Sequence, residues 1–346
     1  MDELKRPSSK RILVTGGTGF LGSYLLRYLL QKGDATLRAT YRDQNKVDLL
    51  FPDIKDQIEW IACDILDTVG MEDALKGIDE IYHSAAMISF QRKDRKKMLQ
   101  TNVQGTANIV DIALQVGVKK LLYVSSIAAL GRSKPGQKID EKNQWERSPY
   151  NTNYGLSKYL GEQEAWRGFA EGLDLVVVNP AMIIGSEDWE KGLARFFKMI
   201  HDGFSFYPIG GNGMVDVRDV VEMMVILMDG DYSGERFIAS ANTLSYQDFF
   251  KQIAAALSIK APNRMIRPFI QGILWRLASM QSYFSGKPAF ITKENATQAS
   301  HIYYYQNDKS KAIPGFSYRP LATTILEVAQ DYQTYLEKGG QQWLKF

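Results

Sequence analysis

The stretch RILVTGGTGFLG at residues 11–22 joins a short apolar run to three glycines at three-residue spacing. The run Ile12–Thr15 predicts a buried strand, and SYLLRYLLQK, closed by Gly33, predicts a helix. A strand, a glycine turn and a helix within about 22 residues are typical of the opening of a nucleotide-binding βαβ unit. The stretch therefore predicts an α/β fold whose sheet binds a nucleotide.

Each of the three glycines has its own purpose in such a turn. Gly16 permits the sharp exit from the strand, Gly19 lets the backbone approach a pyrophosphate, and Gly22 lets the helix pack closely on the strand. Free N–H groups at the helix start, together with the helix dipole, favour a diphosphate. The spacing is G-x-x-G-x-x-G and not the G-x-G-x-x-G of commoner dehydrogenases, so an ordinary tight turn stays open as the alternative.

Composition restricts the class of protein. The 346 residues suffice for one large domain or two interlocked ones. With 42 basic and 39 acidic residues the net charge is +3, so we expect no nucleic-acid partner. Cys63 is the only cysteine, which excludes an internal disulfide and is consistent with a reducing, cytoplasmic compartment. Because the three histidines and this cysteine are not clustered, we expect no catalytic zinc site.

The sequence also bears on membranes and partners. Residues 1–10 are polar, so we expect a flexible N-terminus and no signal peptide. No apolar run reaches the length of about 18 residues that a membrane-spanning helix needs. We expect a small-molecule substrate as the partner and no transmembrane segment, and a homodimer stays open.

Apolar runs alternate with helical patterns, such as Thr101–Val116, through the first half of the chain. This alternation predicts a doubly wound parallel sheet at 11–185. We expect a smaller, mostly helical C-terminal substrate lobe at 186–346, with segments near 210–240 returning to the first domain. Gly210–Gly213 predicts a turn. The runs that predict the further strands are Leu37–Tyr41, Ile58–Ala62, Glu80–His83, Leu121–Val124 and Leu175–Asn179.

The ends of the second and third strands predict the cofactor. Strand two ends in YRD at 41–43, where NAD-dependent enzymes usually carry an acid that bonds the ribose hydroxyls. A guanidinium at Arg42 suits a 2′-phosphate, with Lys46 as a second candidate. We therefore predict NADP, with NAD and a plain surface arginine as the alternatives. Asp64 suits a hydrogen bond from the adenine amino group, whereas Asp67 suits a helix N-cap.

Small residues follow the fourth strand. Ala85 and Ala86 let the backbone pass close to a ribose or nicotinamide. His83, at the end of the strand, is interpreted as a packing residue and not as a base.

Tyr154 and Lys158 are four residues apart and share one face of a predicted helix that runs to about Glu171. Because a nearby ammonium favours phenolate, we expect Lys158 to lower the pKa of Tyr154 from its free value of about 10. Such a phenol passes a proton at neutral pH. Ser125 and Ser126, at the carboxyl end of strand five, place a hydroxyl where sheets of this kind bind ligands, although a pair of turn serines is the alternative.

The second half of the chain bears on the substrate. The loop Ser186–Glu190 carries three carboxylates near the expected substrate mouth, and such acids repel a diphosphate. Arg218 suits an anion, but an ion pair with Asp216 or Asp219 is the preferred interpretation. Residues 262–300 are rich in aromatics and methionine. The aromatic segment 262–290 within them indicates lobe core, an apolar pocket wall, or a membrane-surface or dimer contact.

These motifs together resemble the extended short-chain dehydrogenase/reductase family, from about Arg11 to Tyr335. Three segments resemble its dihydroflavonol 4-reductase and 3β-hydroxysteroid dehydrogenase branch, namely LRATYRD at 37–43, ITKENA at 291–296 and the tail at 303–320. The motifs that carry the family resemblance are TGGTGFLG at 15–22, CDILD at 63–67, HSAA at 83–86, NVQGT at 102–106, VSS at 124–126, YGLSK at 154–158, NPAMIIG at 179–185 and DVRDV at 216–220.

The resemblance implies a Rossmann domain, a nicotinamide cofactor and a Ser/Tyr/Lys triad. In this family the catalytic serine lies five residues before a glycine, and Gly131 then selects Ser126. Tyr154 matches the acid/base, Lys158 its ribose-binding partner, and Asn102 the asparagine that supports the lysine through water. Further implied cofactor contacts are Thr18, Phe20, Leu21, Ile65, Pro180 and Ile183.

Three functions are consistent with these residues. The preferred one is an NADP-dependent oxidoreductase that reduces a ketone or aldehyde of a small or apolar substrate. A nucleotide-sugar epimerase or dehydratase with retained NAD(P) is the second, and a non-enzymatic NADP-sensing protein is the third. Ile127-Ala128 stands where the dehydratases carry Asp-Glu, and Ser186-Glu187 stands where the epimerases carry Pro-Arg, which lowers the second alternative.

Overall fold

The computed structural model describes residues 10–132, 134, 136–267, 272–273, 275–276 and 292–340. Its helices and strands alternate regularly through the first half of the chain. The strands are β1 Lys10–Thr15, β2 Ala35–Tyr41, β3 Glu59–Ala62, β4 Glu80–His83, β5 Lys120–Val124, β6 Lys138–Ile139, β7 Asp174–Pro180, β8 Met182–Ile184, β9 Phe206–Pro208, β10 Gly211–Asp216, β11 Glu235–Ala239, β12 Asn242–Ser245, β13 Arg264–Ile266 and β14 Tyr304–Tyr305.

The α-helices of the described residues flank these strands. They are α1 Phe20–Lys32, α2 Gln44–Leu50, α3 Thr68–Leu75, α4 Arg95–Leu99, α5 Gly105–Val116, α6 Asn153–Ala170, α7 Ala194–His201, α8 Val217–Asp229, α9 Tyr246–Ala256, α10 Lys293–Gln298, α11 Asp308–Lys311 and α12 Leu321–Glu337. None of the helices in the described part of the chain has the length and apolar character that crossing a bilayer requires.

The central sheet of the described chain has seven strands in the order β3-β2-β1-β4-β5-β7-β11, and every pair is parallel. The order runs in both directions from β1, which is the doubly wound arrangement. Two apolar clusters cover the two faces, one with Val14 and Leu122 and the other with Leu13 and Leu121. Because successive residues of a strand point to opposite faces, strands buried on both faces need continuous apolar runs. The predicted fold class is confirmed.

The local signals around the first glycine turn are confirmed as well. The strand ends at Thr15, and the helix that follows covers Phe20–Lys32. Gly33 ends that helix in the left-handed conformation, with φ of +72° and an N–H that donates to Leu29 O at 3.1 Å. All five further strands predicted from apolar runs lie in the central sheet.

The C-terminal half contains a second sheet that the sequence did not predict. Strands β8, β10 and β12 form it, and helices α7, α9 and α12 pack against it around a third apolar cluster. The predicted turn at Gly210–Gly213 is wrong, because Gly211 begins the buried strand β10. The glycines serve close packing there: a Cβ on Gly213 would lie 2.5 Å from Ser240 Oγ.

Part of the C-terminal half adds to the first sheet. Strand β11 pairs with β7 in parallel, and helix α8 contacts β5, β7 and β11. The chain therefore leaves the central sheet after β7 and returns to it for one more helix and strand. The predicted domain boundaries at 11–185 and 186–346 stay predictions.

Candidate active site

The carboxyl ends of the central strands share one edge of the sheet, because all seven strands are parallel. Asp64 follows the end of β3, Ala85 follows β4 and Ser126 follows β5, while β1 leads into the glycine turn. The topology thus brings the glycine turn, the small residues and the serines to the same edge.

The glycine turn leaves no room for side chains. Gly16 has φ of +73°, and a Cβ there would lie 2.8 Å from Ala85 Cα. A Cβ on Gly22 would lie 2.2 Å from the carbonyl oxygen of Gly16. The turn is therefore built by the close approach of its backbone to β4 and to the first turn of α1.

The start of α1 is open to a ligand. Gly19 is its exposed N-cap residue and supplies no side-chain cap. Among the described residues, the N–H groups of Phe20, Leu21 and Gly22 have no hydrogen-bond partner. Thr18 is half-buried in the turn beside them. Unpaired N–H groups at a helix start bind phosphate, so this cradle fits the diphosphate of a nicotinamide cofactor.

The other implied cofactor contacts lie on neighbouring strand ends. Ile65 is buried after β3, and a Cβ on Gly105 would lie 2.5 Å from its Cδ1. Ala86 is exposed after β4, Pro180 is the buried last residue of β7, and Ile183 is half-buried in β8. Their positions agree with a cofactor laid along this edge, and their contacts with it stay predictions.

His83 is buried at the end of β4 and is held on both ring nitrogens. Nδ1 lies 2.7 Å from Thr15 Oγ1, and Nε2 lies 3.1 Å from Thr106 Oγ1. Burial, with a smaller effect of the Lys158 charge, lowers the pKa of His83 to about 3. The ring is therefore neutral at neutral pH and joins β1, β4 and α5, as a packing residue would.

The predicted adenosine site has an ion pair across it. Arg42 Nη1 lies 3.2 Å from Asp64 Oδ2, and the Arg42 side chain is 66% exposed. An exposed pair of this kind is weak, so both side chains are free to exchange partners for a ligand. Asp67 caps α3 by accepting from Gly70 N at 3.1 Å, which confirms the N-cap interpretation.

The two serines after β5 differ in their surroundings. Ser125 is buried, and its hydroxyl donates to Glu162 Oε2 at 2.6 Å. The Ser126 hydroxyl accepts from Ala128 N at 3.1 Å. It also forms a hydrogen bond with the Tyr154 phenol, and this bond lowers the pKa of Tyr154. Only Ser126 therefore shares its hydroxyl with the candidate acid/base.

Lys158 is buried one helical turn after Tyr154, on the same face of α6. Its Nζ donates to Val124 O at 2.7 Å and lies 4.6 Å from the centre of the Tyr123 ring. Burial lowers the pKa of Lys158 to about 7, whereas the charge of Glu162 opposes this effect. The ammonium thus sits at the end of β5 with few groups to solvate it.

The expected direction of the Tyr154 pKa is wrong. Burial raises the pKa of Tyr154, and the hydrogen bond from Ser126 offsets this only in part. The physical reason is that the Lys158 ammonium is directed to Val124 O and the Tyr123 ring, so desolvation of the phenol is the larger effect. In this chain by itself, Tyr154 is a protonated phenol, which is the form that donates a proton.

Asn102 lies in a π-helical segment, Gln100–Gln104, between α4 and α5. Such segments are frequent at functional sites. Its Oδ1 accepts from Met87 N at 2.7 Å, and its Nδ2 donates to Met87 O and to Ser157 Oγ, both at 2.9 Å. The side chain therefore ties the loop after β4 to the residue before Lys158, and its support of the lysine through water stays a prediction.

Glu162 is the residue that the sequence analysis missed. It is fully buried, one further helical turn along α6, and it accepts from Ser125, Asn179, Trp166 and Arg236. Its place four residues after Lys158 was the available signal. The partners on other elements could not be found from spacing, because they lie 37, 17 and 74 residues away.

The acidic loop is less negative than its sequence suggests. Asp188 pairs with Lys191, and Glu190 pairs with Lys198. Burial raises the pKa of Glu187 to about 7, so this carboxyl is only partly ionised near neutral pH. The negative charge expected from three carboxylates is therefore overstated, and repulsion of a diphosphate by this loop stays a prediction.

This loop also docks on the glycine-turn helix. Tyr24 OH donates to Ser186 O at 3.1 Å, and a Cβ on Gly185 would lie 2.9 Å from the Phe20 ring. Ser186 Oγ in turn donates to Asp331 Oδ2 at 2.6 Å, from α12. The loop therefore packs between α1 and the C-terminal helix.

Arg218 is an ion-paired residue, as the preferred interpretation expected. Its Nη2 lies 2.5 Å from Asp216 Oδ2 and 2.5 Å from Glu327 Oε2. Asp219 pairs with Arg319 instead. The guanidinium is thus occupied by two carboxylates.

Most of the aromatic segment 262–290 lies outside the described residues, including Phe269, Met280, Tyr283, Phe284 and Phe290. Of its described members, Met265 is exposed and Trp275 is half-buried beneath Arg276. After it, Glu294 accepts from the backbone N–H of Asn153 at 3.1 Å. The C-terminal half therefore reaches the first residue of the helix that carries Tyr154.

The sequence of this chain matches the NAD dependent epimerase/dehydratase family over residues 12–238. The chain belongs to this family. The match spans the glycine turn, the strand-five serines and the Tyr154 helix, which are the features that meet at the carboxyl edge.

Relatives place this family member in the predicted branch. The chain is 29% identical over 310 residues to a putative dihydroflavonol 4-reductase of Synechocystis, with 87% of each chain covered. It is 30% identical over 266 residues to sterol demethylase protein B of Methylococcus capsulatus, with 75% of this chain and 79% of the relative covered. The extended short-chain dehydrogenase/reductase resemblance and its dihydroflavonol-reductase-like branch are confirmed.

The fold agrees with a solved structure over nearly the whole chain. The crystal structure of gox2253 superimposes with a TM-score of 0.78 at 26% identity, covering 96% of this chain and 100% of that one. The protein is thus an NAD(P)-dependent oxidoreductase of the extended short-chain type.

Proposed function

We propose that this enzyme is an NADP-dependent reductase of a ketone or aldehyde on a small or apolar substrate. The observation that carries the proposal is the grouping of Ser126, Tyr154 and Lys158 at the same carboxyl edge of the sheet as the diphosphate cradle of α1. A nicotinamide cofactor, when bound, supplies the hydride that reaches the carbonyl carbon. The chain supplies the proton, the orientation of the carbonyl and the exclusion of water.

Each member of the triad has a separate part. The Tyr154 phenol is protonated and faces the Ser126 hydroxyl, so the two groups hydrogen-bond one carbonyl oxygen together. Tyr154 then gives its proton to that oxygen as negative charge develops on it. Lys158, whose pKa of about 7 allows an ammonium at neutral pH, holds the nicotinamide ribose and stabilises the phenolate that remains.

The surroundings of Tyr154 favour an apolar substrate. The Phe90 ring packs edge-on against Tyr154, with 6.0 Å between ring centres. Ile88, in the same loop, is 67% exposed, which leaves an apolar side chain for a ligand to cover. Because the acidic loop is largely neutralised, aromatic and aliphatic contacts at Tyr154 carry this assignment, and repulsion of a diphosphate does not.

The test of the function is a mixed substrate panel. Uncharged aldehydes and ketones are assayed beside UDP-, GDP- and dTDP-sugars, with NADPH absorbance and product analysis as the readouts. We expect stoichiometric NADPH oxidation with a carbonyl substrate. Turnover of a nucleotide sugar without net cofactor consumption contradicts the reductase and supports the epimerase.

Cofactor preference gives a second expected result. An arginine–phosphate contact contributes about 1.5–3 kcal/mol, so wild type is expected to bind NADP roughly ten- to a hundredfold more tightly than NAD. Arg42→Ala is expected to lose most of that ratio, because the Arg42 side chain is exposed and its pair with Asp64 is weak. Fluorescence titration of both reduced cofactors measures the ratio in each variant.

Arg167→Ala is the matched control for this ratio. It also removes an arginine with acidic neighbours, but Arg167 pairs with Asp111 and Glu171 near the end of α6. The ratio of the two dissociation constants is expected to stay at its wild-type value there. Equal affinities for both cofactors in wild type, or an unchanged ratio in Arg42→Ala, would show that the 2′-phosphate assignment is wrong.

A further inference from the structure

A buried carboxylate outside the triad lies one helical turn beyond Lys158. The side chain of Glu162 is 2% exposed, and four side-chain donors reach its two oxygens. Oε2 accepts from Ser125 Oγ at 2.6 Å and Asn179 Nδ2 at 2.9 Å. Oε1 accepts from Trp166 Nε1 at 3.1 Å and Arg236 Nη1 at 3.2 Å. In all four hydrogen bonds the partner is the donor and a Glu162 oxygen is the acceptor, which is the pattern that suits a carboxylate.

Three of the four donors lie in or directly after three adjacent parallel strands, whereas Trp166 lies on α6 itself. Ser125 directly follows β5, Asn179 lies near the end of β7, and Arg236 lies in β11. Asn179 Nδ2 also donates to Ser126 O at 3.1 Å. One carboxylate therefore fixes α6 to the ends of β5 and β7 and to the start of β11. Through Asn179 it also fixes the backbone of the candidate catalytic serine.

The charge of Glu162 stabilises the ammonium of Lys158, which has few other groups to offset the cost of its burial. The neighbours of the Lys158 side chain on β4 and β5 are His83, which is neutral, and the Tyr123 ring. On its own helix, Tyr154 shares its face as a protonated phenol. Among the described residues, no ion pair joins Lys158 to a carboxylate. Within the described part of the chain, Glu162 is the one charge of opposite sign that affects the pKa of Lys158, and it raises that pKa against the effect of burial.

Arg236 is the cation that pairs with Glu162. Its Nε donates to Glu141 O at 2.6 Å and its Nη2 to Asn143 O at 2.8 Å, so the guanidinium is held in place beside Glu162. The pair of Glu162 and Arg236 is a dipole with its negative end toward the catalytic helix. Removing the negative charge of Glu162 and removing the positive charge of Arg236 are therefore expected to change the field at Lys158 in opposite directions.

We propose that Glu162 is a positioning residue, whose buried carboxylate anchors α6 to the ends of β5 and β7 and to the start of β11, and serves as the counter-charge of the Lys158 ammonium. The proposal rests on the assignment of Lys158 as the ribose-binding ammonium. A glutamine at this position keeps the size of the side chain and removes the charge.

The sign of the effect follows from the protonation of Lys158. Only the ammonium donates to a ribose hydroxyl with a full charge, so cofactor affinity falls as the pH rises through the pKa of Lys158. That pKa is about 7 in wild type. Glu162→Gln is expected to move the fall in affinity to lower pH by about one unit. Arg236→Met, which leaves the Glu162 charge uncompensated, is expected to move it to higher pH.

The experiment measures the dissociation constant of NADPH by fluorescence across the pH range in full-length variants. Lys158→Met shows whether the fall in NADPH affinity is due to Lys158, because this variant is expected to have no such pH transition. Trp166→Phe is the matched control: it removes one hydrogen bond from Glu162 without removing charge, and its transition is expected to stay at the wild-type pH. Glu162→Asp is expected to restore the transition toward the wild-type pH.

Two outcomes overturn the proposal. One is a transition that stays at the wild-type pH in both Glu162→Gln and Arg236→Met, and the other is a wild type without any transition due to Lys158. If Glu162→Gln does not fold, Arg236→Met still tests the proposal, because its transition must then move to higher pH. Failure of the reductase assignment is a separate result, because wild type then turns over no carbonyl substrate while the binding transition still moves.

Discussion

Tyr154→Phe is expected to lower kcat for carbonyl reduction by about a thousandfold, within the range that general acid catalysis contributes. The phenol is the one donor of the proposed triad that gives a proton to the substrate oxygen, and phenylalanine has no proton to give. The dissociation constant of NADPH is expected to change little, because the ring and its edge-on contact with Phe90 are kept. Steady-state kinetics on the substrate found in the panel and fluorescence titration of NADPH measure both effects.

Tyr159→Phe is the matched control on the same helix. Its ring stacks on Trp145 with 4.9 Å between ring centres, and phenylalanine keeps that contact. We expect kcat close to wild type there. A Tyr154→Phe enzyme that retains near-wild-type kcat would show that proton transfer follows another route.

The features predicted correctly from the sequence depend on residues that are neighbours in the chain. Gly33 ends α1, and Asp67 caps α3 by binding the N–H of a residue in the first turn of that helix. The central strands were found because burial on both faces demands continuous apolar runs. The Arg218–Asp216 pair is likewise local.

The features that were missed depend on contacts made only by the fold. Strand β10 begins at glycines that resemble a turn in the sequence. Gly213 is needed because its backbone packs against Ser240, which follows β11 and lies 27 residues away in the chain. The raised pKa of Tyr154 comes from burial, and burial cannot be read from the spacing of Tyr154 and Lys158. Three partners of Glu162 lie in or directly after strands that only the fold brings together, so spacing along the chain could not reveal them.

The acidic loop was misread for a different reason. Lys191 and Lys198 were present in the sequence, at three and eight residues from their partners Asp188 and Glu190. Counting carboxylates without these lysines overstated the negative charge. Charge arguments from sequence therefore need the local pairing on helices and turns as well as the acidic residues themselves.

Lys158→Met is expected to damage both cofactor binding and turnover, in contrast to Tyr154→Phe. Loss of a charge-assisted hydrogen bond to the ribose costs about 1.5–3 kcal/mol, so the dissociation constant of NADPH is expected to rise roughly ten- to a hundredfold near neutral pH. The kcat is expected to fall as well, because the phenolate left on Tyr154 after proton transfer is no longer stabilised by an ammonium. The same two assays measure these effects.

Lys120→Met supplies the control for removal of a buried lysine. Lys120 is also buried and also donates to backbone carbonyls, to Leu227 O at 3.0 Å and Gly230 O at 2.7 Å, but it begins β5, whereas Val124, the partner of Lys158, ends it. Because ligands bind at the carboxyl ends of such sheets, Lys120→Met is expected to lower the melting temperature and to leave NADPH affinity unchanged. Equal losses of affinity in both variants would mean that Lys158 acts through stability alone. An unchanged affinity in Lys158→Met would remove the lysine from the cofactor site.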